Sequence, residues 1–124
     1  MKYGTELVID MGGCSPLKFS RKEIKLYFTQ LCDLLGMKAE DAYFWDDLHV
    51  PKAERQVNPK TKGTTAIQFI LTSNITIHTL DLLEAVFVNI FSCKDYDVDM
   101  VRSFTVGFFG ASGYNSTVVE RCIP

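Results

Sequence analysis

Three residues whose side chains suit nucleophilic and proton-transfer chemistry lie in one segment, residues 63–94. They are Ser73, His78 and Cys93, which supply a hydroxyl, an imidazole and a thiol. Such groups can attack a carbonyl carbon, remove a proton and return one. The residue types alone leave a structural interpretation open. A lone strand histidine is more often a structural residue, and a cysteine after an apolar run is usually a small core residue.

Strands are predicted on both sides of these residues, because the segment is rich in β-branched and apolar side chains. The runs fall at 65–72, 74–79 and 84–92. Neighbouring strands lie about 4.8 Å apart, so we expect a strand pair to bring all three side chains together.

Two helices and three further strands complete the predicted elements. Ser20 and Glu23 form a capping box before a helix that Gly36 ends, and Asp97 caps a second helix that Gly110 and Gly113 end. Further strands are predicted at 5–11, 42–48 and 115–123, with an exposed basic loop at 49–64. This order predicts one α+β domain over residues 1–124: a two-layer sandwich of a largely antiparallel sheet with two main helices on one face.

The composition excludes several classes of protein. Apolar residues make up 47% of the 124 residues, so the chain can build a core, and disorder over its whole length is excluded. Thirteen basic residues against 15 acidic ones give a net charge of −2, which argues against nucleic-acid binding. No apolar run is long enough to span a bilayer, and the N-terminus lacks the pattern of a signal peptide. We therefore expect a cytoplasmic protein without a membrane partner.

The four cysteines and two histidines do not form a recognisable metal site. No two cysteines are in a C-x-x-C pair. In the cytoplasm the thiols are expected to be reduced, and each is then either a core residue or a reactive group. The chain also lacks the Gly-x-Ser-x-Gly elbow of many hydrolases, so a Ser/His hydrolase is a weaker interpretation.

The segment resembles the self-processing region of the small bacterial and archaeal S-adenosylmethionine decarboxylases. That family typically carries Ser-His-x-Ser/Thr-Ile-His-Thr-Trp-Pro-Glu and then an apolar strand ending Phe-Thr-Cys-Gly. The present chain reads SNITIHTLDL at 73–82 and NIFSCK at 89–94, with the same intervals between serine, histidine and cysteine. The resemblance extends over most of the chain, including the first strand and the Ser20 helix.

The resemblance implies a role for each residue. Ser73 attacks the Thr72 carbonyl, and the resulting ester eliminates to leave residues 1–72 and 73–124 as two chains. Ser73 then becomes a pyruvoyl group, a covalent cofactor whose ketone forms a Schiff base with the substrate amine. Thr65 takes the place of a serine that assists the first step, His78 helps remove the Ser73 Cα proton, and Cys93 returns a proton after decarboxylation.

The sequence departs from the family pattern where the substrate is bound. Leu82 stands where the family has a glutamate that binds the ribose hydroxyls, and Pro59 where an aromatic residue stacks on adenine. Asp81 is the nearest acid to the first position, and Asp10 is the candidate for an acidic first-strand residue that faces the site. The substrate is therefore either S-adenosylmethionine, as in polyamine biosynthesis, or an amino acid such as ornithine or arginine.

A second hypothesis is an unprocessed, non-enzymatic homologue that acts as a ligand-binding or regulatory subunit. In either case two nearly all-apolar strands in so short a chain suggest that a second subunit covers part of the sheet. The family forms dimers with active sites near the subunit boundary. We therefore expect a homodimer.

Overall fold

The fold is a single six-stranded antiparallel sheet with two helices on one face. A computed structural model describes all residues, 1–124. Across the sheet the strand order is β2-β3-β4-β5-β1-β6. The strands are β1 Lys2–Gly12, β2 Ala39–Trp45, β3 Gly63–Ile70, β4 Ser73–Leu80, β5 Ala85–Ser92 and β6 Gly113–Cys122. The predicted α+β sandwich is confirmed, and β2 lies a few residues earlier than predicted.

Both helices begin and end at the residues that the sequence indicates. In α1, Arg21–Leu35, the Ser20 side chain accepts a hydrogen bond from the Glu23 backbone N–H. In α2, Val98–Phe109, Asp97 does the same for Met100. A glycine in the left-handed conformation ends each helix, as expected where a side chain would be strained. No helix is long and apolar enough to cross a membrane.

The core lies between the helices and one face of the sheet. Every second residue of the central strands is buried there, because side chains alternate between the two faces. Tyr27 of α1 is fully buried, and its hydroxyl shares a 2.8 Å hydrogen bond with the buried Thr105 of α2. Burial raises the pKa of Tyr27 well above its ordinary value, so this phenol stays neutral.

No helix covers the other face of the sheet, which we call the open face. Large side chains lie exposed or half-exposed on it, among them Tyr43, Trp45, Phe69 and Phe87. Two rows of paired residues cross it from strand to strand. One row contains Trp45, Thr65, His78, Phe87 and Asp10, and the other contains Phe69, Asn74, Phe91, Glu6 and Val119.

The buried hydroxyl pair between the helices gives a stability prediction. Tyr27→Phe leaves the Thr105 hydroxyl without a partner and is expected to lower the free energy of unfolding by about 1–3 kcal/mol. Thr105→Val should cost a similar amount. The double variant should cost clearly less than the sum, because it leaves neither hydroxyl unpaired. Urea unfolding followed by circular dichroism measures all three, and additive costs would contradict the pairing.

Candidate active site

The turn between β3 and β4 contains the first half of the site. Leu71 and Thr72 form a two-residue connection, and Ser73 is the first residue of β4, opposite Ile70. Thr72 has a φ of 47°, in the left-handed region that β-branched residues rarely adopt. Strain of this kind costs on the order of 1–3 kcal/mol and is concentrated at functional sites.

Ser73 and Cys93 meet at this end of the sheet. The Cys93 backbone N–H donates to Ser73 Oγ at 3.0 Å, and Ser73 Oγ donates to Cys93 Sγ at 3.5 Å. Thr72 Oγ1 donates to the same sulfur at 3.2 Å. These hydroxyls, Ser73 first and Thr72 second, lower the pKa of the Cys93 thiol, and burial opposes them only in part. The prediction that the serine and the cysteine lie together is confirmed.

The approach of β1 fixes the position of Cys93. At Gly4 an added Cβ would collide with the Ser92 carbonyl oxygen and press on the Cys93 Cα. Tyr3 stacks on Phe91 with ring centroids 6.2 Å apart, and its hydroxyl also contributes to the low pKa of the thiol. The glycine therefore lets β1 lie against the backbone of Ser92 and Cys93 at the end of β5.

Thr65 and His78 form the second half of the site. They lie directly opposite each other in β3 and β4, and Thr65 Oγ1 is 2.9 Å from His78 Nδ1. This bond orients the imidazole and leaves Nε2 free for proton transfer. The pair lies on the open face beside a cavity of about 460 Å³. Trp45, Leu80 and Phe87 are the apolar residues that line this cavity.

The expectation that one strand pair would bring Ser73, His78 and Cys93 together is wrong. Ser73 and His78 are five residues apart in β4, and an odd spacing points their side chains to opposite faces. At about 3.4 Å per residue they also lie about 17 Å apart along the strand. Each chain therefore presents two separate pairs, Ser73 with Cys93 and Thr65 with His78.

The first strand contributes acidic residues at both ends of the open face. Asp10 lies opposite Phe87, in the row that contains His78. Glu6 lies opposite Phe91, at the end where Ser73 and Cys93 meet, and accepts from Asn89 at 3.1 Å and Arg121 at 3.0 Å. Glu6 is thus the first-strand acid at the thiol end. Glu6 is four residues before Asp10 and therefore lies on the same face of β1, so its spacing from Asp10 is the signal in the sequence that indicates it.

Asp81 lies apart from both pairs. It lines a charged cavity of about 530 Å³ beside α1, where Arg21 binds Asp46 at 2.8 Å and Lys62 binds Asp47 at 3.1 Å. Burial raises the pKa of Asp81. From this position its carboxylate does not line the cavity beside His78.

Lys94, which replaces the family's glycine after the cysteine, has a structural role. Its ammonium donates to the Gly36 carbonyl oxygen at 3.1 Å, at the C-terminal end of α1. A cation is favourable there because the end of a helix carries partial negative charge. The positive charge of Lys94 therefore lies at the C-terminal end of α1.

The other ionisable groups do not form a second reactive centre. Cys14 and Cys32 are buried, and burial raises the pKa of both thiols. No group of three or more histidine, cysteine or acidic side chains is arranged to hold a metal ion. Cys93 is the one cysteine whose thiol pKa is lowered.

Comparisons with known proteins identify the family and agree with the fold. The chain matches the family model for S-adenosylmethionine decarboxylase over residues 5–122. A crystal structure of the adenosylmethionine decarboxylase from Aquifex aeolicus VF5 superimposes with a TM-score of 0.77 at 15% identity, over 99% of this chain and 93% of that one. No curated protein matches by sequence. The chain belongs to the S-adenosylmethionine decarboxylase family.

Proposed function

We propose that this protein is a self-processing, pyruvoyl-dependent decarboxylase of S-adenosylmethionine. The observation that carries the proposal is the arrangement at Ser73. The Ser73 hydroxyl is hydrogen-bonded to Cys93, and the residue before it in the chain is the strained Thr72. A nucleophile in contact with an ionisable group is the usual arrangement for attack on a carbonyl. Family membership supports the same chemistry.

The turn favours scission of the bond between Thr72 and Ser73. Thr72 is held in a left-handed conformation by the short connection between β3 and β4. Once the ester forms and eliminates, Thr72 becomes a free C-terminus and is no longer constrained by the turn. Release of this strain lowers the free energy of the cleaved form relative to the intact chain.

Two chains would complete one site. Within one chain the Thr65–His78 pair and the Ser73–Cys93 pair lie at opposite ends of β4. A two-fold axis between two stacked open faces, perpendicular to the strands, places the His78 end of β4 in one chain over the end of β4 in the other chain where Ser73 and Cys93 meet. The exposed aromatic residues of the open face are the kind of surface that a second subunit buries. We therefore propose a homodimer with two shared sites.

The proposed chemistry divides between these residues. His78, oriented by Thr65, removes the Cα proton of the partner's esterified serine, so that the ester eliminates. The pyruvoyl group derived from Ser73 would then supply a carbonyl that withdraws electrons from the substrate's α-carbon. Cys93 returns a proton to that carbon after carbon dioxide has left.

The cavity beside His78 supports S-adenosylmethionine over a small amino acid. An indole, an aliphatic side chain and a phenyl ring line it, whereas ornithine or arginine would leave much of this apolar surface uncovered. Trp45 is 59% exposed and lies directly opposite Thr65, so its ring is available to a nucleobase. Trp45 was not predicted, because the family pattern places the aromatic residue that stacks on adenine at position 59.

The purified protein is expected to become two chains, one ending at Thr72 and one beginning at the former Ser73. The second chain should be lighter than a serine-initiated peptide by the mass of ammonia, because the amine is lost when the pyruvoyl group forms. Intact mass spectrometry measures both. Ser73→Ala, which lacks the nucleophile, is the matched control and should stay whole. A wild-type chain that remains intact after long incubation would argue for the non-enzymatic homologue.

Mixing two inactive variants tests the shared site. His78→Ala and Ser73→Ala homodimers each lack one half of every site and should not complete cleavage. A heterodimer of the two contains one intact site, which joins Ser73 of the first variant to His78 of the second. Cleavage should therefore appear in the mixture and only in the chain that carries His78→Ala, as mass spectrometry would reveal. Absence of cleavage in co-refolded mixtures would contradict a shared site.

The fluorescence of Trp45, the single tryptophan of the chain, should report the substrate class. We expect 5′-methylthioadenosine to quench its emission by stacking, and ornithine or arginine to leave it unchanged. Trp45→Ala should raise KM for S-adenosylmethionine more than it lowers kcat. Tyr43→Ala, an exposed aromatic two residues away on the same face, is the control and should change KM little. Quenching by the amino acids alone would point to them as substrates.

A further inference from the structure

The hydroxyl of Ser73 has one ionisable neighbour within its own chain. Its oxygen accepts from the Cys93 backbone N–H and donates to the Cys93 sulfur, and it has no other side-chain partner. The imidazole of His78 lies on the opposite face, about 17 Å away along the strand. Within one chain the group that can take the serine proton is therefore a thiol, and a His78→Ala background removes the partner's imidazole as an alternative base.

We propose that Cys93 is the general base that activates Ser73 in the first step of processing, an inference that rests on the proposed function. Cys93 Sγ takes the proton from Ser73 Oγ as the oxygen attacks the Thr72 carbonyl carbon. The tetrahedral oxyanion collapses, the C–N bond breaks, and the thiol gives the proton to the departing nitrogen. One proton moves from oxygen to nitrogen, an amide becomes an ester, and the thiolate is restored.

The surroundings of the sulfur favour this role. The hydroxyls of Thr72 and Ser73 both donate to it, and donors of this kind stabilise a thiolate. When the sulfur carries a proton, the Leu71 carbonyl oxygen lies 3.8 Å away as an acceptor. The sulfur can therefore both receive and release a proton without rearrangement of the turn.

The charged groups near the thiol do not oppose a thiolate strongly. On β1, the Tyr3 hydroxyl helps to lower the pKa of the thiol, and Lys2 forms a 3.6 Å ion pair with Asp95. Lys94 directs its ammonium to the end of α1. Asp95 is the nearest acidic residue along the sequence, and its pairing with Lys2 offsets its charge. Glu6, the first-strand acid at this end, is paired with Arg121 at 3.0 Å. The two hydroxyl donors thus set the protonation of the sulfur.

The inference separates the two steps of processing between two residues. The acyl shift uses Cys93 of the same chain, and the later elimination uses His78. Removing His78 should consequently leave the ester formed but not eliminated. Removing Cys93 should slow formation of the ester itself.

Cleavage then reverses the role of the thiol. It removes the Ser73 hydroxyl that donates to the sulfur and creates a carboxylate on Thr72, whose side chain lies against the same sulfur. The loss of a hydrogen-bond donor and the gain of a nearby negative charge both favour the protonated form of the thiol. The base of the first step is in this way converted into the acid that decarboxylation requires.

Hydroxylamine tests the inference, because it cleaves an ester far faster than an amide and leaves a hydroxamate on Thr72. At sufficient hydroxylamine, the His78→Ala chain should give two fragments at a rate that does not depend on the hydroxylamine concentration. Under these conditions the rate measured is that of ester formation, because cleavage of the ester is faster. Adding Cys93→Ala should slow fragment formation by about 100-fold or more, the contribution expected of a general base. Cys93→Ser, which keeps a polar group but no base, should be equally slow.

Thr72→Val provides a readout that a structural role for Cys93 would not change. Valine has the shape and backbone preference of threonine but cannot donate to the sulfur, so the pKa of the thiol should rise. The rate of ester formation in the His78→Ala background should therefore begin its increase at higher pH and reach a similar plateau. Circular dichroism melts confirm that each variant is folded.

The outcomes distinguish the two proposals. If the wild-type chain is processed and the Cys93 variants trap ester as fast as the chain that retains the thiol, Cys93 is not the base and the proposed function stands. An unchanged pH profile in the Thr72→Val variant also overturns the inference. If the wild-type chain neither forms an ester nor cleaves, the proposed function fails and this inference fails with it.

Discussion

The alternation of side chains along β4 determines how Ser73 and His78 lie relative to each other. Ser73 begins the strand and His78 follows at an odd interval, so one chain cannot bring them together however the rest of the sheet is arranged. The sheet is antiparallel throughout and well packed on its helical face, which fixes the register of the strand against its neighbours. The proposed dimer follows from this constraint, because only a second chain can supply the missing half.

The open face of the sheet presents both apolar and polar side chains. Exposed aromatic side chains on it favour contact with another apolar surface, while polar residues in the same rows provide hydroxyl, imidazole and carboxylate groups. A face of this composition buries apolar area on association and encloses the polar groups at the same time. Enclosure from water strengthens their electrostatic interactions, which benefits proton transfer.

Much of the fold could be predicted from the sequence because the local signals agreed with the tertiary structure. Ser20, Gly36, Asp97 and Gly110 marked the helix ends through interactions within one turn of chain. The contact between Ser73 and Cys93 could also be predicted, since both residues lie at the same end of adjacent strands. The separation of His78 from Ser73 also follows from their odd spacing in the sequence. Proximity of adjacent strands does not by itself place two side chains on the same face.

Other features depend on contacts that no short segment contains. The position of Glu6 rather than Asp10 at the thiol end follows from the register of β1 against β5. The interaction of Lys94 with the end of α1 joins residues 58 positions apart. Trp45 lies opposite Thr65 because of the register of β2 against β3.

Thr72, the residue before the proposed scissile bond, combines a hydrogen bond to Cys93 with an unusual backbone conformation. A carboxylate so close to the sulfur would disfavour its ionised form. Thr72 instead places a hydroxyl 3.2 Å from Cys93 Sγ, and its β-branched backbone is strained in the left-handed region. In the proposed processing, one residue therefore favours both ionisation of the thiol and scission of the peptide bond that follows it.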